Sequence, residues 1–473
     1  MLALDSVAGR LRGSKKVIAW LVAVAFFMQM LDGTILNTAL PEIAKSFGEN
    51  PLRMQSVVIS YMLTVAFILP ISGWLADFLG TKRVFISAIF IFSLGSLCCA
   101  LSNTLTQLVL SRVLQGVGGA LMVPVGRLAV MRIFPKKELV SALSFITIPA
   151  LVGPIVGPFA GGVIVQYVSW HWIFLINLPI GVVCAVFTYI AMPKVTPVKF
   201  KFDWIGYLLF SAAVILISLS LGSVDEATLG RRAAVLMFLA GALCLGAYAR
   251  LSIAKPWSAL FKPRLFYERS FTVGIIANLF IRFAGGSLPF LAPLFLQTAL
   301  NYSPLKAGVA MLPLGVMSIA AKTFVEPVLN KLGYRRLMTY NAIIIGIMLC
   351  FLAFIGPNTS YLFILVYLGV LGIFNSMQFT SLNTLTLIAV PPRDLSQANS
   401  LLSAVMQISM GLGVSLVSAA LAYFGAHTAK IGSENILYSF HATFVFIGVI
   451  SILGVILFQS KFARGIVDKP KNM

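Results

Sequence analysis

Acidic residues are scarce in this chain: 14 Asp and Glu stand against 35 Lys and Arg in 473 residues, and only 10% of residues are charged at all. The three histidines, His171, His427 and His441, are scattered, and the five cysteines, Cys98, Cys99, Cys184, Cys244 and Cys350, lie in apolar runs without metal-ligand spacing. No clustered metal site is therefore expected, and the cysteines read as packing or lipid-facing residues. There is no Gly-x4-Gly-Lys-Ser/Thr loop and no polar stretch long enough to hold a nucleotide, which argues against an ATP-driven pump, an enzyme or a bound cofactor. The net charge of +21 invites a nucleic-acid partner. That reading fails because the basic residues are parcelled into short loops between apolar runs rather than gathered on one domain.

What is abundant is apolar surface. With 59% hydrophobic residues and a mean hydropathy of +0.97, the chain reads as an all-α polytopic membrane protein in a lipid bilayer. Fourteen segments approach the ~20 residues that a bilayer requires. Their approximate limits are 17–40, 54–76, 83–101, 105–128, 141–166, 170–192, 203–222, 233–253, 270–297, 305–330, 336–355, 361–386, 399–424 and 440–460. The first is longer than the roughly 7–15-residue core of a signal peptide and is expected to remain as a spanning helix.

The loops set the expected topology. Alternate loops and the two termini hold 25 basic residues on one side, against 6 on the other (Lys45, Arg53, Arg231, Arg232, Lys306 and Lys430). By the positive-inside rule both termini are expected in the cytoplasm. The remaining four cations, Arg112, Arg127, Arg282 and Lys322, fall inside segments.

An internal repeat is visible at an offset of 253 residues. Gly73-Trp-Leu-Ala-Asp77-Phe-Leu-Gly80-Thr-Lys82-Arg83 follows the second segment, and Asn330-Lys-Leu-Gly333-Tyr-Arg335-Arg336 follows the tenth. The same offset carries Gly116 and Gly119 onto Gly369 and Gly372. Two six-helix halves, 17–192 and 270–460, are thus expected around an inserted helix pair, 203–253.

Two further stretches stand out. Leu108-Val-Leu-Ser-Arg112-Val-Leu-Gln115-Gly116 places a permanent cation in a spanning run, which costs about 3 kcal/mol on insertion scales and usually marks a transport path. Gly153-Pro154-Ile-Val-Gly157-Pro158-Phe-Ala-Gly161-Gly162 repeats glycine every fourth residue. Gly153, Gly157 and Gly161 then share a helix stripe that admits a close neighbour, while Pro154 and Pro158 favour a bend.

These stretches, with Leu31-Asp32-Gly-Thr34-Ile-Leu-Asn37-Thr-Ala39-Leu40-Pro41 and Trp170-His171-Trp172-Ile-Phe174-Leu-Ile-Asn177-Leu-Pro179-Ile-Gly181, resemble the major facilitator superfamily over nearly the whole chain. The resemblance is to its 14-span drug:proton antiporter branch of the EmrB/QacA type. It implies the major facilitator fold in a 6+2+6 arrangement of helices in a bacterial cytoplasmic membrane. It also implies an efflux transporter that exchanges small molecules for protons by alternating access, its halves rocking about a central site. Phe78 and Thr81 stand where the family often has basic residues, Asn330 where the first half has Asp77, and His171 where Arg is common.

The residues leave specific alternatives open. Asp32 and Arg112 each lie about eight residues, ~12 Å, below the outer end of their segments and can meet at one depth. The pair either couples a proton to movement or is a permanent bridge that fixes packing. Lys322 and Glu326 share a face one turn apart and serve either transport or a local pair, so the proton carrier is Asp32 or Glu326. Asp77, at the negative pole of its helix, needs a cation from Lys82, Arg83, Arg127 or Arg132, or a helix N-terminus. The resemblance implies an inside latch there, with Gly73, Gly80 and Arg83 in its loop and Gly80 permitting a tight turn. It also implies a gating part for Gly153, Gly157, Pro158, Gly161 and Gly162. Arg282 with Asn278, Lys322, and the amides Gln29, Gln115, Asn375, Gln378 and Gln407 are candidates to line the substrate path, although a buried amide can equally join two helices.

An ion gradient must supply the energy. One charge crossing 100 mV yields about 2.3 kcal/mol, roughly a fortyfold concentration ratio. A second function remains open, export or import of an anionic metabolite, because Arg112, Arg282 and Lys322 outnumber the intramembrane acids. A receptor or scaffold is a third, disfavoured by the short tails outside the segments. The chain is expected to act as a monomer.

Overall fold

In lipid, backbone N–H and C=O groups have no water to bond, so an apolar run that crosses a bilayer must satisfy them within itself as a helix. The computed structural model describes residues 14–193, 202–222, 230–256, 259–391, 394–427 and 433–454, and these form helices at every expected segment. Asp225, Glu226, the basic residues before Ser14 and after Gly454, and the last part of the fourteenth segment, 455–460, lie outside the described residues. Among the described residues thirteen helices are long and apolar enough to span, and Trp204–Ser220 is a shorter apolar fourteenth.

The chain divides into two compact units, Met1–Phe202 and Asp203–Met473. In the first, α1 (Lys15–Phe47) is followed by a second span broken into α2 (Gln55–Ile68) and α3 (Ser72–Leu79) by a 3-10 turn that contains Pro70. Then come α4 (Thr81–Ala100), α5 (Leu105–Ile133) and α6 (Lys136–Tyr167). The sixth span is the short α7 (Trp172–Leu175) and α8 (Asn177–Ala191). The α1 and α6 helices pack along each other, as do α4 and α5, and α5 also lies against α2.

One boundary differs from the sequence expectation in a way that matters for the site. Helix α1 does not stop at Leu40 but carries Pro41 inside it and ends at Gly48, whose left-handed φ of 65° lets its N–H reach back to the carbonyls of Ala44 and Lys45. Glu42 and Lys45 leave the apolar run without breaking the helix, so hydropathy underestimates its length. Asp32 consequently sits fifteen residues from the end of α1, ~22 Å along the axis.

The second unit contains α9 (Trp204–Gly222) and α10 (Gly230–Ala254), which pack on each other, with α9 also against α15. Six further spans follow: α11 (Arg269–Thr298), α12 (Pro304–Leu332), α13 (Tyr334–Phe351), α14 (Tyr361–Ile388), α15 (Leu395–Ala426) and α16 (Ser433–Leu453).

The 253-residue offset recurs in three-dimensional contacts. Gly80 and Gly333 both join two helices at positive φ, 91° and 75°, which a residue with a Cβ rarely adopts. A Cβ added at Gly116 or Gly119 would meet Thr64 and Tyr61 of α2, and one added at Gly369 or Gly372 would meet Met317 and Leu314 of α12. Both members of each contact are shifted by the same number, so the two units use one packing solution twice.

Candidate functional site

The start of α5 fixes where its polar residues fall. Thr104 caps the helix by accepting from the Gln107 N–H at 3.3 Å, and Gln107 Oε1 accepts from the Asn103 N–H at 2.9 Å. This reciprocal cap anchors the first turn, and Arg112 and Gln115 then project inward from the next turns. Gly95 of α4 lets the α5 backbone come close, since a Cβ there would lie 2.5 Å from Gln115 Cα.

The Arg112 and Asp32 side chains meet, both about 1% exposed. Arg112 Nη1 donates to Asp32 Oδ2 at 2.6 Å and to Gln115 Oε1 at 2.6 Å. Gln115 Nε2 donates to Asp32 Oδ1 at 2.8 Å and to Ser96 Oγ at 2.7 Å. Asn177 Nδ2, on α8, donates to the same Asp32 Oδ1 at 3.3 Å and to Ser96 Oγ at 3.2 Å. The Tyr61 ring of α2 lies beneath the Arg112 guanidinium, 4.2 Å to its centre, and its hydroxyl accepts from Gln29 Nε2 at 3.4 Å. The carboxylate thus has one charged donor on one oxygen and neutral amide donors on the other.

Five spans contribute to this cluster; Gln29, Asp32, Arg112 and Gln115 are legible in the sequence, whereas Tyr61, Ser96 and Asn177 join them only in the fold. Asn177 lies within the Trp170–Gly181 stretch, whereas Ser96 is one serine in an apolar run and carries no signal of its own.

The glycine stripe of α6 lies against the segment of α1 that carries Asp32. A Cβ at Gly153 would approach Leu31 N to 2.9 Å, one at Gly157 would collide with Thr34 Oγ1, and one at Gly161 would collide with Ile35 O and Thr38 Oγ1. Pro158 and Gly162 are buried beside the stripe.

At the other end of the unit Asp77, on α3, forms its ion pair with Arg132 from the last turn of α5. Arg132 Nη1 also donates to Thr81 Oγ1 at 2.6 Å, at the first position of α4. Of the four cations offered by the sequence, Arg132 is the one that reaches Asp77. Lys82 instead donates to Tyr189 O at 2.6 Å, and Arg83 is exposed and makes no ion pair among the described residues. Gly80 makes the expected tight turn. Gly73 is exposed with open space around it, so close packing is not the reason for glycine there.

In the second unit Arg282 is 5% exposed and near the middle of α11. Its Nε donates to Asn278 Oδ1 at 2.9 Å, Nη2 donates to Asn383 Oδ1 at 3.3 Å, and the guanidinium lies 4.3 Å from the centre of the Phe379 ring. Asn278 Nδ2 donates to Gly274 O at 3.0 Å and Thr386 Oγ1 at 3.3 Å. Asn375 and Gln378 are buried on α14, Gln378 with both polar side-chain atoms unpartnered among the described residues, and Gln407 is half-buried on α15. Lys322 and Glu326 share a face of α12 but form no ion pair, and both are exposed on the chain.

A second buried acid, Asp394, lies outside the apolar runs. Helix α15 begins at Leu395 rather than near 399, which makes Asp394 a 2%-exposed residue at a helix start, paired with Arg264 and with Lys262 at 3.3 Å. The Arg264 guanidinium hydrogen-bonded to Asp394 holds its carboxyl below the usual carboxylate range, with Lys262 acting the same way and burial opposing both. Asp203 holds the same linker from the other side, accepting from the Leu260 N–H at 3.1 Å. Only acids inside apolar runs draw attention in a sequence, and these lie just outside them.

Residues 22–414 match the family model described as Major Facilitator Superfamily. The chain is 43% identical over 440 residues to a protein of Yersinia pestis (strain Pestoides F) provisionally named multidrug resistance protein MdtD, covering 93% of this chain and 94% of that protein. A protein of the same provisional name in Yersinia pseudotuberculosis serotype O:1b is similar to the same extent. Among solved structures, the POT family transporter PepTSo superposes with a TM-score of 0.70 at 15% identity, over 95% of this chain and 98% of that one. The D-xylose-proton symporter superposes with a TM-score of 0.67 at 14% identity, over 96% and 99%. With the family model matched over residues 22–414 and 43% identity to MdtD over 93% of its length, the chain belongs to the Major Facilitator Superfamily, among the members of the EmrB/QacA type.

Proposed function

We propose that this protein is a proton-coupled efflux transporter that exchanges a small molecule for protons by alternating access; the name of its MdtD relatives, multidrug resistance protein, supports the export of small molecules. The observation that carries the reading is Asp32, a carboxylate buried mid-span on α1 whose one charged donor among the described residues is Arg112 of α5. When α1 and α5 separate, Asp32 loses Arg112 from Oδ2 and Gln115 from Oδ1, since α5 carries both, and keeps the amide of Asn177 of α8 on Oδ1. A proton then binds on the freed oxygen, and re-forming the pair expels it. Movement and protonation are thereby linked, because each state of the pair favours one proton occupancy.

The glycine stripe of α6 supports such movement by letting α1 slide or tilt without side chains to clear. The Asp77–Arg132 pair acts as the cytoplasmic latch of the outward-open state, joining α3 to the end of α5. In this reading 17–192 and 270–460 are the moving halves and 203–253 is an inserted pair. The protein works as a monomer in a bacterial cytoplasmic membrane with both termini in the cytoplasm. Glu326 is the alternative proton carrier, and its exposure on α12 makes Asp32 the stronger candidate.

The experiment is proton release in inverted vesicles with an imposed pH gradient, wild type beside Asp32→Asn, challenged with cationic, neutral and anionic compounds. Collapse of the gradient by a compound in wild type but not in the variant is expected. A variant that releases protons as wild type does makes the pair structural and moves the coupling to Glu326.

A further inference from the structure

Arg112 and Arg282 are both buried cations within spanning helices, yet among the described residues only one is neutralised. Arg112 has Asp32, whereas among the described residues no carboxylate meets Arg282. Its guanidinium carries five N–H donors. Asn278 Oδ1 takes the one on Nε and Asn383 Oδ1 takes one on Nη2, which leaves the second Nη2 proton and both Nη1 protons without an acceptor among the described residues.

The surroundings orient this remaining edge. Asn278 is itself held by Gly274 O and Thr386 Oγ1, so it fixes the Nε side of the fork. Phe379 covers one face of the plane. Asn375, Phe379 and Asn383 recur every fourth residue and form one stripe of α14 facing α11, where Gly285 removes the side chain that would otherwise stand against Asn375 Oδ1. Phe379 and Asn383 are only half-buried, so the stripe carries the cluster to the surface of the unit. A planar fork with parallel N–H groups free on its outer edge matches the two oxygens of a carboxylate or phosphate. A buried cation in a spanning helix gains most from such a partner.

We propose that Arg282, positioned by Asn278 and Asn383 over Phe379, is the binding site for an anionic group of the transported molecule, a carboxylate or phosphate received end-on by Nη1 and Nη2. This names the chemical class of the substrate and rests on the transport reading for its consequence, though not for the binding itself.

The test is calorimetric titration of the whole protein in nanodiscs of phosphatidylcholine, so that no anionic lipid competes, with benzoate and phenyl phosphate as probes. Benzyl alcohol and benzylamine serve as neutral and cationic controls carrying the same ring. Wild type is expected to bind an anionic probe more tightly than either control, and Arg282→Gln to bind it at least about tenfold more weakly, the loss of a charge-assisted hydrogen-bonded pair. Asn383→Asp keeps the arginine but supplies an internal carboxylate at Nη2, and should also weaken the anionic probe; it tests the site even if Arg282→Gln fails to insert. Equal affinity for anion and alcohol in wild type, or undiminished anion binding in either variant, overturns the proposal. Asp32→Asn separates the two readings: anion binding intact with proton release lost supports both, and anion binding intact with proton release retained sinks the coupling reading alone. Anion binding lost in Asp32→Asn would place the anion at the Arg112 cluster and overturn the Arg282 site.

Discussion

Gly157 of α6 lies against Thr34 of α1, two residues beyond Asp32, so closely that a Cβ would strike the threonine hydroxyl. The helix that carries the buried acid is therefore held against a surface from which side chains have been removed, and the two features belong to one arrangement.

Gly157→Leu is expected to abolish transport while leaving insertion intact. The added side chain must displace α1 at Thr34 and Ile35, whereas the apolar substitution favours the membrane. Fluorescence of a fused reporter would measure insertion, and compound-evoked proton release would measure transport. Normal release from this variant removes the stripe from the mechanism.

Asp32→Asn and Arg112→Gln should differ in stability although both break one pair. The asparagine retains acceptor and donor groups for its neighbours and leaves Arg112 with Gln115 and the Tyr61 ring. Removing Arg112 leaves a carboxylate buried among neutral donors, and breaking a buried pair from one side costs about 3–5 kcal/mol. The melting temperature in detergent should fall more for Arg112→Gln, and the double variant should recover part of the loss.

The Asp77–Arg132 latch predicts a reciprocal rescue. Each of Asp77→Asn and Arg132→Gln should impair transport, and the charge exchange Asp77→Arg with Arg132→Asp should restore part of it. The pair is partly exposed, so its coupling in a double-mutant cycle is expected near the upper end of surface pairs, about 1 kcal/mol. Independent effects of the two substitutions would show that they do not act as a latch.

At Asp394 the sign of the pH dependence is determined. Its carboxyl is held below the ordinary range in the folded protein, so its stabilising contribution is present at neutral pH and is lost as pH falls through that lowered value. Wild type should be more thermally stable than Asp394→Asn at neutral pH, and the difference should shrink only in acid below the usual carboxylate range. A difference that is constant with pH means that the charge of Asp394 does not stabilise the linker.

The sequence by itself determined the number of helices, their approximate limits and the repeat, because each follows from local hydropathy or from a spacing that one strand of letters carries. It also marked Arg112 and Arg282, which are buried cations within spanning helices. It could state that Asp77 needed a positive partner and that Asp32 and Arg112 reached one depth. Only the tertiary structure decided that Arg132 rather than Arg83 meets Asp77, that Asn177 and Ser96 complete the Asp32 cluster, and that Arg282 meets amides and an aromatic ring. The physical reason is that these partners come from separate helices, as far apart as Asp32 and Asn177, and their meeting depends on the rotation and axial register of packed helices. Register is set by the glycine contacts and helix caps acting together, and a segment such as α1, which runs seven residues past its apolar stretch, shifts that register without leaving a mark in hydropathy.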